Sequence, residues 1–526
     1  MGESVSSTPV AVIVLAAGAG TRMKSDTPKM LHQIGGRSLL SHSLYAAKGL
    51  NPDHLVVVVG HQKELVAQAV ESWQEESSAA SGVALAHQEQ QNGTGHAVMC
   101  GMASDELAGF TGTIIVTNAD VPLLSSATLD SLVNAHTHAP AAAVTVLTVE
   151  APTPTGYGRI IRNADGEVTA IVEEKDATEE QRRIKEVNTG VFAFDADVLR
   201  SSLGKLDTNN AQGEMYLTDV LGIARNEGLI ARGHMAHDPA ELAGVNDRVQ
   251  LAAAGRVLNR HICEKHMRNG ATIIDPESTW IDVDVTIGRD VTIHPGTQLH
   301  GTTHIEDNAE IGPDTSLTNV TVGSGTQVIR SHGSDSIIGS NAHVGPFSYL
   351  RPGTHLGDEG KIGTYVETKN ASIGRGTKVP HLTYVGDATI GEYSNIGCSS
   401  VFANYDGVKK HHTVVGSHVR TGSDTTFVAP VTVGDGAYSG AGTVITDDVP
   451  AGALVVPGAR QRVIEGWVAK KRPGTAAARA AEAAGDTQSA SSADEYAGDE
   501  HSSTPESTGK APNNSAPSDN SPTDRT

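Results

Sequence analysis

The sequence predicts an α/β chain with two folded parts: a Rossmann-like, mostly parallel sheet covered on both faces, then a parallel β-helix of hexapeptide repeats. A disordered acidic tail follows them. Three observations predict this. Short β-branched apolar runs separated by Ala-, Leu- and Glu-rich stretches fill residues 10–250. From about 271, apolar residues recur every six positions. After KKRPGT (470–475) the pattern dissolves. A length of 526 residues exceeds one ordinary domain and agrees with two cores.

Residues 1–9 carry no pattern and are read as a flexible start. VAVIVLAAG (10–18), LVVVVG (55–60), VALAHQ (83–88), TIIVTNAD (113–120) and AAVTVLTVE (142–150) are the strands of a first domain assigned to 10–242. Continuous apolar strands alternating with helices mark a parallel sheet buried on both faces. AGVNDRVQLAAAGRVLNRHICEKHMRNG (243–270) reads as a helical linker. In the second domain, assigned to 271–472, Ile287, Ile293, Leu299, Ile305, Ile311 and Leu317 keep a strict six-residue spacing, and fragments such as IGPDTS, VGSGTQ, IGSNAH and IGRGTK repeat one unit. That period fits a parallel β-helix, whose coils point one apolar residue inward per face; an antiparallel sandwich would alternate with a period of two. Residues 475–526 hold nine acidic, three basic and one aromatic side chain. They cannot bury enough apolar surface to offset the entropy of ordering, so 473–526 is expected to be disordered.

The formal charge of −22 excludes a general nucleic-acid binder, because an acidic surface repels a phosphate backbone. Phosphate chemistry must then rely on local cations. Three dispersed cysteines, Cys100, Cys263 and Cys398, show no CxxC pairing; this excludes a disulfide framework or zinc ribbon and fits a reducing cytoplasm. The start has no basic n-region and no run is long enough to cross a bilayer, so neither a signal peptide nor stable membrane association is expected.

LAAGAGTRMKSDTPKML (15–31) is the most informative stretch. A strand ends in Leu15, Ala16, Ala17 and Gly18, a glycine turn follows, and Arg22 and Lys29 come close behind. Glycine lets backbone N–H groups approach phosphate oxygens, and the two cations can neutralise a triphosphate and its developing charge. The turn lacks the third glycine of a dinucleotide fingerprint and the Gly-Lys-Ser/Thr of a P-loop. HQEQQNGTGHAV (87–98) sets Gln88, Gly93 and Thr94 after a strand, and NADVPLL (118–124) sets Asp120 at the end of another. Ligands of parallel sheets collect there, and a carboxylate so placed can hold Mg²⁺ between phosphate oxygens. GVNDRVQL (244–251) offers Asn246 as a second Mg²⁺ ligand, with Asp247 as the competing candidate.

The string with TR and PK at these offsets resembles the signature of sugar-phosphate nucleotidyltransferases. The resemblance implies that Leu15–Gly18 meet UTP and that the segment of Gln88, Gly93 and Thr94 reads uracil. TGYGRI (155–160), IVEEKDAT (171–178) and EVNTGVF (186–192) resemble the amino-sugar pocket of a uridylyltransferase, and NNAQGEMYLTD (209–219) is similar to that family as well. There Gly158 gives a backbone contact, Glu173 accepts from sugar hydroxyls and Asn188 binds the sugar or its amide. The implied reaction is direct displacement by a sugar 1-phosphate oxygen on the α-phosphorus of UTP, with Arg22 and Lys29 as catalytic cations.

In the second domain, FSYLRPGTHL (347–356) carries Arg351, TYVETKNASIG (364–374) carries Glu367 and Lys369, and KVPHLTYVGDATIG (378–391) carries His381 and Tyr384. IGCSSVFANYDGVKKHHTVVG (396–416) contains a long insertion with Asn404, Tyr405 and Lys410. With the N-terminal motifs, these segments are similar, over about residues 10–472, to the bifunctional uridylyltransferase and glucosamine-1-phosphate acetyltransferase family. That resemblance implies a left-handed β-helix and a homotrimer. His381 would be the general base, Glu367 its orienting partner, and acetyl transfer from acetyl-CoA direct. Arg351 and Lys369 would grip the 1-phosphate; Tyr384, Asn395 and Lys410 would contact the sugar. Asn404 and Tyr405 would line the reaction centre, and Cys398, Ser423 and Ala441 would contact acetyl-CoA. His411 and His412 are expected to be solvated.

Three departures stand out. Ala119 replaces the usual glycine before Asp120, Cys398 takes the place of a small residue, and PGARQRV (457–463) leaves Arg460 and Arg462 as alternative contacts to the CoA tail. A Cys398 thiol nucleophile, a nucleotidyltransferase whose β-helix is only a scaffold, and a non-catalytic interaction protein are the competing readings.

Overall fold

The computed structural model describes residues 8–77, 82–458 and 461–493. They fall into two compact units, divided between Pro457 and Gly458. In the first unit, strand β1 (Val10–Ala16) is apolar throughout. Its alternate residues enter different cores: Ala11, Ile13 and Leu15 on one face of the sheet, Val12, Val14 and Ala16 on the other. Both faces are therefore covered, as the continuous apolar strands require.

The other strands of this sheet are β2 (His54–Val59), β3 (Val83–His87), β4 (Thr113–Asn118), β5 (Val144–Glu150), the hairpin β6 (Arg159–Arg162) and β7 (Val168–Val172), β8 (Glu186–Asp195) and β9 (Ala231–Met235). Across the sheet the order is β9-β5-β8-β4-β1-β2-β3. Strand β1 is parallel to both β2 and β4, while β8 is antiparallel to its two neighbours. The order reverses at β1, which opens a crevice at the carboxyl ends of β1 and β4.

The arm helix spans Arg248–Arg268, not the whole of 243–270. It starts where Asp247, with an extended backbone, accepts a hydrogen bond from the Gln250 N–H (2.8 Å). The residues before it, 243–246, are not helical, and Val245 N–H donates to the Asp120 carbonyl (2.8 Å). Asp247 is thus a helix cap, which leaves Asn246 as the group facing the crevice.

The β-helix is a prism of parallel coils. Residues with left-handed backbone mark its three corners once per coil. Asp290, Asn308, Asn341, Glu359, Tyr393 and His418 lie on the first; Asp314, Arg330, Phe347, Tyr365, Leu382, Ser399 and Asp424 on the second; Asn319, Asp335, Asn370 and Asp387 on the third. Asn and Asp tolerate this conformation best, and some bond from coil to coil, as Asn319 Nδ2 does to Asp335 Oδ1 (3.1 Å). The six-residue period points inward as expected. Ile293, Leu299, Ile305 and Ile311 are wholly buried and Leu317 nearly so, while Ile287 near the start of the β-helix is half-buried. The repeat glycines serve close coil contact: a Cβ on Gly339 would stand 2.6 Å from the Asp358 nitrogen.

The coils end at Leu454–Val455, short of residue 472, because the repeat stops there. In the second unit Trp467–Lys471 and Ala476–Ala493 are helical. The latter corrects the expectation of disorder from 473. AAARAAEAA has high intrinsic helix propensity, which an argument from burial alone overlooks. The rest of that tail, 494–526, and the start, 1–7, lie outside the described residues. Among the described residues no helix is long and apolar enough to cross a membrane.

Candidate active site

The glycine turn after β1 folds into a short 3₁₀ segment, Thr21–Met23, bounded by the left-handed residues Gly20 and Lys24. Gly20 is required there: a Cβ would stand 2.5 Å from the Lys29 Cβ. The Lys29 side chain therefore passes close beneath the turn into the crevice. Its Nζ donates to Asp120 Oδ2 (2.5 Å) and to Asn246 Oδ1 (3.1 Å), and Arg22 Nη2 donates to the same Asn246 oxygen (2.8 Å). Four residues singled out from distant motifs thus meet at one point. Ala119 is fully buried with ordinary backbone, and its N–H donates to the Leu15 carbonyl (3.0 Å), so the missing glycine costs no strain.

Beside Lys29 a cavity of about 280 Å³ is lined by Leu15, Ala17, Gly18, Gln88, Gly93 and Thr94, as expected, and also by Gln91, Asn118 and Glu214. Ala16 turns its methyl into the opposite core instead. The alternation of a strand makes that unavoidable, and only its backbone faces the turn. Gln88 Nε2 donates to the Gly93 carbonyl (3.0 Å), which commits the amide nitrogen to the loop and leaves the amide oxygen for a base N–H. Gly93 has φ +102°, and a Cβ there would stand 2.5 Å from the Met215 carbonyl oxygen. The 209–219 segment clamps this loop: Met215 N–H donates to Asn92 and Gly95 N–H to Met215, both at 2.8 Å.

A second cavity of about 280 Å³ shares Asn118 and Asp120 with the first. Gly158, Glu173, Asn188 and Asn246 line it as expected, joined by Tyr157, Thr189 and Gly190. Strand β8 slips register against β5 between Asn188 and Phe192, and this bulge turns residues 188–190 into the cavity. Gly190 has φ +79°, and its N–H donates to Asn188 Oδ1 (2.9 Å). Burial raises the Glu173 carboxyl above its ordinary pKa, and the carboxylates of Asp176 and Asp219 add to the effect.

Asp120 and Asn246 present two oxygens that both accept from the Lys29 ammonium. An oxygen pair already gathered round one positive charge suits a hard divalent cation, which takes its remaining ligands from phosphates and water. Among the described residues no group of three or more His, Cys, Asp or Glu could hold a metal alone. The donor set therefore fits a cation shared with a bound triphosphate.

In the β-helix, Glu367 and Tyr384 lie opposite each other on adjacent coils of the face between the second and third corners. Arg351 and Lys369 follow two positions later on the same face. Arg351 Nη1 donates to Glu367 Oε1 (2.8 Å), so Glu367 is partnered by Arg351 rather than orienting His381. The Lys410 ammonium, and then Arg351, hold the Lys369 amine below its usual pKa. Three cations therefore crowd one spot, an arrangement that a dianionic phosphate relieves. Asn404 is buried and donates to Asp387 Oδ2 (2.5 Å). Exposed Tyr405 bonds through its hydroxyl to the Gly407 carbonyl (2.7 Å). His411 and His412 are structural rather than merely solvated: Asp406 Oδ2 pairs with His411 Nε2 (2.7 Å), and Thr389 Oγ1 with His412 Nε2 (3.0 Å). Both pairings shape the long insertion, which sequence spacing cannot reveal.

The second corner carries another column. His381, Cys398, Ser423 and Ala441 each precede a left-handed corner residue, namely Leu382, Ser399, Asp424 and Gly442. Successive coils are joined there, with Ser399 N–H donating to the His381 carbonyl (3.2 Å), Asp424 to Cys398 (2.8 Å) and Gly442 to Ser423 (2.8 Å). The imidazole thus heads the residues expected to meet acetyl-CoA, and it is exposed. Asn395 stands elsewhere, on the face before that corner, in a ladder between Lys378 and Arg420. Arg460 lies outside the described residues and Arg462 is exposed.

Sequence reasoning missed Asn118, Gln91, Gly190, Gly386 and Asp387. Asn118 lies two residues before Asp120 in a motif already singled out, and Gly386 and Asp387 follow closely after Tyr384, so proximity was their only signal. A Cβ on Gly386 would stand 2.3 Å from the Tyr384 hydroxyl and 2.8 Å from Asn404 Nδ2.

Residues 12–184 match the model of the MobA-like NTP transferase domain family. The chain is 70% identical over 481 residues to the bifunctional protein GlmU of Corynebacterium efficiens, covering 91% of this chain and 98% of that protein. It is 69% identical to its namesake from Corynebacterium glutamicum ATCC 13032, covering 90% and 97%. The protein of the same name from Rhodococcus jostii is 64% identical, covering 90% and 95%.

Proposed function

The chain belongs to the family of bifunctional GlmU proteins, and on that premise we propose that its two sites make UDP-N-acetylglucosamine in two steps. The chain is a nucleotidyltransferase and an acyltransferase in one. The β-helix site acetylates the amine of glucosamine 1-phosphate from acetyl-CoA, and the crevice site joins the product to the uridylyl group of UTP.

In the crevice, uracil lies in the Gln88–Thr94 pocket and the amino sugar in the Glu173–Asn188 pocket. The shared wall at Asn118 and Asp120 then brings the sugar 1-phosphate against the α-phosphate. A sugar phosphate oxygen attacks the α-phosphorus, the new P–O bond forms, and the bond to the β-phosphate oxygen breaks to release pyrophosphate. Lys29 and Arg22 hold the α-phosphate oxygens and stabilise the charge that gathers on them. Asp120 and Asn246 would hold Mg²⁺, which when bound neutralises the triphosphate and steadies the leaving pyrophosphate.

In the β-helix site, Arg351 and Lys369 hold the 1-phosphate, with the Lys410 ammonium beside them and also against the sugar. Tyr384 contacts the sugar, and Asn395, which stands on a different face, reaches it from a neighbouring subunit. The His381 imidazole takes a proton as the amine attacks the thioester carbonyl, the C–N bond forms, the C–S bond breaks and CoA leaves as the thiol. Cys398, Ser423 and Ala441 lie along the CoA, and Asn404 and Tyr405 close the centre. No side-chain nucleophile is used. The chain works as a homotrimer. This is supported by Phe347, Tyr365 and Leu382, exposed by 52%, 60% and 56% in one stripe along the second corner beside His381. A monomer with full acetyltransferase activity contradicts that assembly. Three unpaired cysteines support action in the cytoplasm.

The observation that carries the proposal is the meeting of Arg22, Lys29, Asp120 and Asn246 at the wall between two cavities. The test is release of CoA and formation of UDP-N-acetylglucosamine by the purified chain, with His381→Ala beside it. His381→Ala is expected to lose acetylation and keep uridylyl transfer. Equal CoA release by both proteins removes His381 from the chemistry.

A further inference from the structure

We propose that the junction between the sheet domain and the β-helix is an effector site for an amphipathic anion, an apolar or aromatic body with an anionic head, whose binding restrains uridylyl transfer. The junction holds a cavity of about 720 Å³, well within the size of small-molecule sites and far larger than either half of the nucleotide cleft. One wall is a single face of the arm helix: Arg248, Leu251, Ala252, Gly255 and Arg256 follow its i, i+3, i+4, i+7, i+8 spacing. Ala252 and Gly255 make the hollow, since a Cβ on Gly255 would meet only the Ile34 side chain, at an ordinary 3.5 Å from Cγ2 and 3.8 Å from Cβ. Buried Ile34 and Ile281 supply the apolar floor.

The charges around this hollow select the ligand. Arg248 and Arg256 bound it about 12 Å apart along the helix axis, at 1.5 Å of rise per residue. Among the described residues neither is ion-paired to a carboxylate. The carboxylate on the facing wall, Asp282, is already engaged by His300 Nδ1 (3.3 Å) and the Gly301 N–H (3.0 Å). In a chain of net charge −22, two unneutralised guanidiniums beside an apolar hollow complement an anion.

Arg248 also ties the cavity to the crevice. Its Nε donates to the Met23 carbonyl (3.1 Å), and Met23 follows Arg22 in the turn. Asn246, two residues before Arg248, accepts from both Arg22 and Lys29. An anionic head drawn to Arg248 competes with the Met23 carbonyl and loosens the turn that aims Arg22, while the body lies over Ala252 and Gly255 towards Arg256.

The probe is 8-anilinonaphthalene-1-sulfonate, an aromatic monoanion, titrated into the full chain by fluorescence. Saturable binding is expected, weakened about tenfold by Ala252→Trp, which fills the hollow from its solvent side, and severalfold by Arg256→Ala. Saturating probe should slow uridylyl transfer by the natural chain, leave Ala252→Trp unaffected, and leave acetyl transfer unchanged in the same sample. Titrations that both substitutions leave unaltered overturn the site, and a bound probe without effect on uridylyl transfer overturns its regulatory role. The inhibition arm rests on the uridylyl reading above. A natural chain with no uridylyl transfer before probe is added refutes that reading, while the titrations still decide the cavity.

Discussion

Gly386→Ala isolates the acetyl-transfer geometry. Gly386 has ordinary backbone, so alanine adds no conformational penalty, and its effect is the methyl alone. That methyl would stand 2.3 Å from the Tyr384 hydroxyl and 2.8 Å from Asn404 Nδ2. Comfortable C···O separations begin near about 3.3 Å, so Tyr384 must retreat by about 1 Å. A displacement of that size at a reacting centre costs on the order of 10²-fold in rate, about 2.7 kcal/mol of barrier. The assay follows CoA release and UDP-N-acetylglucosamine formation in one sample, each with its own substrates. Acetyl transfer should fall by about 10²-fold while uridylyl transfer, some coils and a domain away, stays within about twofold. Acetyl transfer within about threefold of the natural chain would refute the role given to Tyr384 and Asn404.

Chelation separates the sites. Removing divalent cations with EDTA should stop uridylyl transfer, for which Asp120 and Asn246 are proposed to hold a shared cation, and leave CoA release intact. Acidification should weaken the sheet domain through His136. Burial pushes this histidine down to about 4, and its Nδ1 lies 3.0 Å from Thr145 Oγ1. The unfolded chain takes up this proton near pH 6.5 and the folded chain only near 4, so stability falls as pH drops between those values and levels off below them. The loss is about 3 kcal/mol at about 1.4 kcal/mol per pH unit. Urea unfolding across that range should show a shallower acid slope for His136→Gln; an identical slope would assign the loss to other groups.

The fold was legible wherever one period dominated. Strand β1 reads as buried on both faces because every residue is apolar, and the inward column Ile293 to Leu317 follows from six-residue spacing. The corners were less legible, since Phe347, Tyr365 and Leu382 occupy left-handed positions that their residue types do not advertise. In the site, Lys29, Asp120 and Asn246 could be found because each sits in a dense motif, although only the fold shows that they bond to one another. Gly190 and Gly386 were hidden, because their value lies in what a Cβ would strike, Asn118 in one case and Tyr384 in the other. The Glu367–Arg351 pair was misread for a similar reason: partners in a β-helix are set by register between coils, not by distance along the chain. The Ala-rich segment at 476–493 misled in the opposite way, since weak burial hid a strong local propensity.

The central claim is that one chain carries two independent chemistries linked by a diffusing sugar phosphate. Lys29→Ala and His381→Ala should each fail to make UDP-N-acetylglucosamine from glucosamine 1-phosphate, acetyl-CoA and UTP, while an equal mixture of the two purified variants should make it. Product from either variant alone, or none from the mixture, would contradict the account.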